Sequence, residues 1–322
     1  SAQDLYIFNL SNKYDKDPKS ISVSADKTWN DTDWTDITRP KIKYVLQYKS
    51  QAGDWTDFDD TTLNDGNKFI VSGGKQSATV TFEPDKTDFK YTWSNLRKYW
   101  EKPKKDGVPE IIEYRVREVL VPIDSVNYNT NNLDGLYTAS PSTKYLSWKF
   151  EEGKNVYDGT NSTTQSNFTN TLNKFDLKLK KTWTPTGGTA LSKQQIQYLI
   201  NLKAIPETLR FVVEYQLNGE TTWTPIPVTL TNSYQDGNAG YLQAKTVDLY
   251  SYITTGFKLP RYDKNGNAIS YRVREVGVKF QGEGAFTDIS WNATTGTLGN
   301  ISTDSVSVTL PASTATAQSV TA

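Results

Sequence analysis

Ile21-Ser22-Val23-Ser24-Ala25-Asp26-Lys27-Thr28-Trp29 alternates with period two, so Ile21, Val23 and Ala25 share one face with Lys27 and Trp29. That pattern predicts a strand with one side in a hydrophobic core, and it places the Lys27 ammonium among apolar groups. A charge in such a position is costly unless it is paired, neutralised or consumed in a reaction. The arrangement recurs at Phe175-Asp176-Leu177-Lys178-Leu179-Lys180-Lys181-Thr182-Trp183. There Phe175, Leu177 and Leu179 lead to Lys181 and Trp183, while Lys178 and Lys180 point to water.

The two stretches open two copies of an internal repeat. In the first copy, Lys27-Thr28-Trp29 is followed by Arg39-Pro40, the strand Ile42 to Tyr48, and Asp54-Trp55-Thr56. In the second, Lys181-Thr182-Trp183 is followed by Pro206, the strand Leu209 to Tyr215, and Thr222-Trp223-Thr224. Both then reach nearly the same strand, Tyr114-Arg115-Val116-Arg117-Glu118-Val119 and Tyr271-Arg272-Val273-Arg274-Glu275-Val276. Alternation puts Ile112, Tyr114, Val116 and Glu118 on one inward face, Ile269, Tyr271, Val273 and Glu275 on the other, and the arginines toward water. Asn265-Gly266, ahead of the second of these strands, is a hairpin-turn signal. Further on, Phe168, Asn170 and Leu172 share a face, which sets a side-chain amide on the core side as well. Ser94 to Tyr99 reads as a helical turn, Leu191 to Ala204 as a short helix starting near Ser192, and Pro122 to Gly159 as an insertion carrying extra strands or an ordered loop.

Composition narrows the function classes. The chain has no cysteine, histidine or methionine, which removes disulfides, thiol nucleophiles, imidazole bases and the usual soft-metal ligands. Lysine plus arginine balances aspartate plus glutamate at 36 each, so electrostatics points to neither nucleic acid nor an anionic membrane. No run approaches the ~18 apolar residues of a membrane span. The 19 tyrosines and 9 tryptophans, spaced by Thr, Ser, Asn and Asp, fit an all-β surface protein. Neither a metal nor a cofactor is expected: Asp263-Lys264-Asn265-Gly266-Asn267 lacks the spaced acidic ligands of a calcium loop.

A lysine, a glutamate and an asparagine on the inward faces of three strands permit a specific reaction. Away from water a lysine is driven toward the neutral, nucleophilic amine and a carboxyl toward its protonated form. The acid can polarise the asparagine carbonyl and relay a proton to departing ammonia, and the fold supplies proximity. The product is a side-chain amide, made once per site.

Each half resembles the B-type repeat of the Gram-positive collagen adhesin, the Cna B-type domain of bacterial surface adhesins and pilins. The residues that carry the resemblance are Lys27-Thr28-Trp29, Arg39-Pro40, Trp93-Ser94-Asn95-Leu96, Tyr114 to Glu118 and Thr169-Asn170-Thr171, with their second-copy counterparts. It implies two tandem, reverse immunoglobulin-like β-sandwiches stacked end to end, and an intramolecular isopeptide bond between Lys27 and Asn170 catalysed by Glu118. The plainer alternative has Lys27 reaching the sandwich edge, paired with Glu118 as an ordinary ion pair. Recurrence of the same placements in the second copy favours the reactive reading.

The expected domains are 18–172, with the insertion near 122–159, and 173–322. The second has Lys181 and Glu275 but no evident closing asparagine. Either Ala322 stands in that position and the domain is uncrosslinked, or its last strand is missing and is supplied in trans by residues 1–17 of another copy. In the latter case Asn9 of Phe8-Asn9-Leu10 takes the part of Asn170 and serves Lys181 and Glu275. The functional expectation is a structural stalk or fibre module of an extracellular, cell-surface adhesin or pilus. Its partners are further copies of itself or adjacent repeats, with no nucleic acid and no membrane insertion. The rival expectation is an adhesin module for a glycan or matrix protein, with the insertion presenting the ligand surface. A conventional enzyme is not expected.

Overall fold

The computed structural model describes residues 20–101, 110–148, 167–185 and 187–289, together with the backbone alone of 291–292, 297–298, 306–308 and 317–321. Asn9 and the rest of residues 1–17 lie outside the described residues. The fold is all-β. The strands are β1 (Ser20–Asn30), β2 (Lys41–Lys49), β3 (Trp55–Asp57), β4 (Thr79–Phe82), β5 (Tyr91–Arg97), β6 (Tyr114–Val121), β7 (Tyr137–Ser140), β8 (Tyr145–Trp148), β9 (Asn167–Leu172) and β10 (Lys174–Lys180). They continue with β11 (Thr208–Gln216), β12 (Thr224–Pro225), β13 (Tyr241–Lys245), β14 (Ile253–Pro260), β15 (Ser270–Lys279), β16 (Thr287–Asp288), β17 (Trp291–Asn292), β18 (Thr297–Leu298), β19 (Val306–Val308) and β20 (Ala317–Thr321). Among the described residues, four short α-helices interrupt them: α1 (Thr35–Thr38), α2 (Asp60–Leu63), α3 (Thr130–Leu136) and α4 (Lys193–Asn201).

The chain forms two compact units. Among the described residues, the first contains 20–28, 42–101, 110–119, 139–148 and 167–169; the second contains 29–41, 120–138, 170–185 and the residues described from 187 on. One sheet runs β5-β1-β9-β7 and another β3-β2-β6-β8, with β4 also on β2. The second copy repeats this plan as β14-β10-β20 and β12-β11-β15-β16, with β13 on β11 and β19 on β15. Even an irregularity is shared: β1 slips register against β5 between Ile21 and Val23, and β10 slips against β14 between Asp176 and Lys178. In β1, Ile21, Val23, Ala25 and Lys27 are buried and the residues between them are not, as period two requires. The same holds for Tyr114, Val116 and Glu118 in β6 and for Tyr271, Val273 and Glu275 in β15.

Two expectations are corrected, and the second copy adds two further features. Ser94 to Arg97 is not helical, because it completes β5: Leu96 pairs with Ile21 and Arg97 with Ser20. Asn95, with φ +56°, takes up the slipped register between Trp93 and Leu96, which is why a turn-like sequence lies within a strand. The arginines between the buried positions do not simply face water. The Arg115 guanidinium lies 4.2 Å from the centroid of Trp55 and 3.9 Å from that of Tyr145, and Arg272 lies 4.5 Å from that of Trp223. In the second copy a strand lies beside β10. β20 pairs with it in parallel, from Asp176 opposite Ala317 to Lys180 opposite Thr321, so the chain itself occupies the place expected for a donated strand. Finally, residues 29–41 and 120–138, first-copy by sequence, belong to the second unit.

The reason for that last assignment is a turn. Asp263 to Asn267 closes the β14–β15 hairpin, as Asn265-Gly266 predicts, and the Asp263 carboxylate accepts the backbone N–H groups of Asn265 and Asn267. Around it, Ile37 C=O accepts from Lys264 N–H (2.8 Å), Asp36 C=O from Lys264 Nζ (3.0 Å), Asn265 C=O from Asn129 N–H (2.8 Å) and Gly266 C=O from Asn132 Nδ2 (3.0 Å). Trp34, 1 % exposed, packs edge-on against Tyr215 and Tyr271. Helix α4 starts where the sequence indicates, with a capping box between Ser192 and Gln195.

Gly266 has φ +78°, and a Cβ there would run into the carbonyl oxygen of Asn129. Gly266→Ala is therefore expected to lower the stability of the second unit by about 1–3 kcal/mol. Urea unfolding checks this, and hydrogen exchange should show loosening confined to residues 127–132 and 263–267.

Candidate crosslinking site

Strand β1 delivers Lys27 to the core from one sheet and β6 delivers Glu118 from the other. Their side chains are 0 % and 2 % exposed, and Lys27 Nζ donates to both carboxylate oxygens, at 2.9 Å to Oε1 and 2.8 Å to Oε2. So close a two-oxygen contact offsets part of the desolvation cost of the two charges, and it leaves amine and acid in a single hydrogen-bonded unit through which a proton can pass. The edge-of-sandwich alternative does not describe Lys27, whose amine is enclosed.

Asn170 is 1 % exposed on β9, the strand hydrogen-bonded to β1 in the sheet order. Side-chain bonds tie the two strands: Asn167 Nδ2 donates to Thr28 Oγ1 (2.9 Å), and Asn30 Nδ2 to Thr171 Oγ1 (3.2 Å). The alternation that buries Phe168, Asn170 and Leu172 turns the Asn170 amide inward.

The second site is built alike but less enclosed. Lys181 Nζ donates to Glu275 Oε2 at 2.9 Å, with side-chain exposures of 12 % and 4 %, and the ammonium lies 5.2 Å from the Trp183 ring centroid. Glu275 Oε1 is buried and accepts no hydrogen bond among the described residues. Burial pushes the Glu275 carboxyl above its ordinary range, partly opposed by the charge and hydrogen bond of Lys181. Of the six residues expected to take part, Lys27 and Glu118 are brought into contact, as are Lys181 and Glu275. Asn170 is buried on the adjoining strand, and Asn9 lies outside the described residues.

Tyr44 is not singled out by alternation or motif. It is fully buried on β2, 5.6 Å from Phe168 ring to ring, and its phenol is held well above the ordinary range by burial and then by the Glu118 charge. Its signal lies in the repeat: the second copy has Phe211 at the matching strand position, so the hydroxyl belongs to the first copy alone.

No family model matches the chain, and no curated protein matches it. Among solved structures, the major pilin of Streptococcus pyogenes is similar at 17 % identity and a TM-score of 0.30, over 94 % of this chain and 96 % of that one. The basal pilin SpaE of Lactobacillus rhamnosus GG is similar at 11 % identity and a TM-score of 0.34, over 86 % and 88 %. The shaft pilin SpaA of the same organism, solved in a mutant form, is similar at 12 % identity and a TM-score of 0.22, over 84 % and 92 %.

A carboxyl raised by folding holds its proton more tightly in the native chain than in the unfolded one. The stability it contributes is complete below the ordinary value of 4.5 and is lost as pH rises through the folded value. Urea unfolding across pH 4 to 7 should therefore show wild-type stability falling relative to Glu275→Gln above pH 4.5. Parallel profiles for the two proteins would contradict this.

Proposed function

We propose that the chain is a structural module of a bacterial surface fibre or adhesin stalk, hardened by an amide bond that it makes itself between Lys27 and Asn170. The observation that carries this reading is the fully enclosed Lys27–Glu118 contact, with a buried asparagine on the strand beside β1. An ion pair needed only for stability gains little from such a position, since apolar residues of similar volume generally serve as well or better.

In the proposed reaction the Lys27 ammonium gives a proton to Glu118, and the resulting amine attacks Cγ of Asn170. Glu118 hydrogen-bonds the amide oxygen as charge develops there, passes its proton to the departing nitrogen, and takes up in its place the extra proton shed by the attacking Lys27 nitrogen. One C–N bond forms, one breaks, and ammonia leaves. The protein is consumed as its own substrate, so the event is maturation and not turnover. Trp93, Phe168 and Tyr44, all buried in the same unit, exclude the water that would hydrolyse or protonate the reacting groups.

The consequence is mechanical. A bond from Lys27 to Asn170 closes a loop of about 140 residues, worth about 5 kcal/mol by chain entropy. More usefully, it carries tension directly between β1 and β9, so that pulling on the chain does not peel the first sandwich open. Lys181 and Glu275 enter the proposal as a pair poised for the same chemistry, with Asn9 of another copy brought in by a strand that takes the place of β20. A module of this kind belongs on the cell surface or in a pilus, and this sequence, without cysteine, has no thiol crosslink to use instead.

The intact mass of the folded protein is expected to fall one ammonia short of its sequence mass, and Glu118→Ala to restore the full mass for that site without unfolding the domain. A mass deficit that survives Glu118→Ala removes the glutamate from the mechanism. A full sequence mass for the wild type removes the bond.

A further inference from the structure

The repeat contains one interface that is filled in the first copy and open in the second. In the first, the segment after Lys27-Thr28-Trp29 runs through α1 to Pro40, and together with residues 124–132 it seats the β14–β15 turn. Trp34 and Ile37 are buried there, at 1 % and 8 % exposure. The counterpart in the second copy runs from Lys181-Thr182-Trp183 through α4 to Pro206. Lys203 stands three residues before Pro206, as Ile37 stands three before Pro40.

Nothing in the chain's described residues covers this counterpart. Ile196 and Ile200 turn inward, packed with Trp183, Leu191, Leu199 and Val247, while Tyr198 and Leu202, four residues apart on the outer face, are 63 % and 58 % exposed. Residues 201–204 are exposed throughout. The loop after β15 lies beside them, since a Cβ on Gly282 would stand 3.9 Å from Lys203 Nζ. Two large apolar side chains on a short helix otherwise rich in glutamine are a poor choice for permanent contact with water.

We infer that this face, Tyr198, Leu202 and the backbone of 201–204, is the seat for the paired ends of β5 and β6, residues 99–100 and 110–111, of a second copy of the chain. The occupant follows from the repeat. The filled seat holds the β14–β15 hairpin, whose base is the Tyr262–Ala268 bridge followed by Asp263 N–H to Asn267 C=O at 2.9 Å. The link between β5 and β6 has the same base, the Tyr99–Ile111 bridge followed by Trp100 N–H to Glu110 C=O, also at 2.9 Å. Seat and occupant are different surfaces of one chain, so the contact is heterologous and joins copies head to tail. The inference rests on the fibre reading above and gives it a surface, but it does not require the Lys27–Asn170 bond.

The absence of cysteine from the sequence makes the test direct. Full-length Leu202→Cys and Glu110→Cys proteins, mixed and treated with a short bis-maleimide, are expected to give a mixed dimer, linked between the two substituted positions, in large excess over either protein treated alone. The chain carrying both substitutions should give a ladder, and adding Tyr198→Asp should abolish it while leaving the thermal unfolding midpoint unchanged. Cross-linking of Leu202→Cys mainly to itself would overturn the proposal in favour of a symmetric contact. No cross-linking at concentrations up to the solubility limit would overturn it outright. Intact mass, measured on the same samples, reports separately on the Lys27–Asn170 bond, so failure of one is not mistaken for failure of the other.

Discussion

A lysine and a glutamate facing each other across the core of a sandwich constrain nearly everything around them. Removing both from water costs several kcal/mol per ion, and the return depends on geometry holding to fractions of an ångström. Lys27 Nζ reaches both oxygens of Glu118 only if β1 and β6 each keep their register, because a slip of one residue would turn Lys27 outward and strand the carboxylate among apolar side chains. The pair therefore selects one pairing of β1 with β5 and one of β6 with β2. The bulge between Ile21 and Val23 and the left-handed Asn95 opposite it belong to that register.

The second copy shows the same constraint relaxed. Lys181 contacts one oxygen of Glu275 instead of two, is more exposed, and leaves Oε1 without a donor among the described residues. The phenol is replaced as well, Phe211 standing where the first copy has Tyr44. One repeat has enclosed its lysine–glutamate pair; the other has kept the pair and changed the surroundings. Such divergence is expected of a duplicated unit whose two copies sit in different surroundings.

Period two is enough to place Lys27, Glu118, Lys181, Glu275 and Asn170 on core faces, since alternation is a local property and burial follows it in β1 as far as Lys27, throughout β6, and in β15 as far as Gly277. The duplicated order of motifs makes the shared sheet plan legible, and Ser192 with Gln195 marks the start of α4. What alternation does not reach depends on residues distant in sequence. Ser94 to Arg97 has turn-like composition, and only pairing with Ser20 and Ile21 makes it a strand. Arg115 and Arg272 alternate outward as expected, but whether an outward arginine meets water or a tryptophan is decided by where β3 and the Trp223 segment return to the sheet. The capture of residues 29–41 by the second unit rests on bonds such as Lys264 N–H to Ile37 C=O, between residues far apart in the chain. Lys98, wholly buried just past the end of β5, is likewise hidden from a sequence reading, because the bulge at Asn95 breaks the alternation that would have marked it.

The Lys27–Glu118 contact, as proposed, serves to make a bond. Peptide mapping of the folded protein by tandem mass spectrometry tests it most directly. A branched peptide is expected, in which the fragment containing Lys27 is joined through its side chain to the fragment containing Asn170, with the loss of one ammonia. Recovery of those two fragments as separate linear peptides of full mass, from protein shown to be folded, would contradict it.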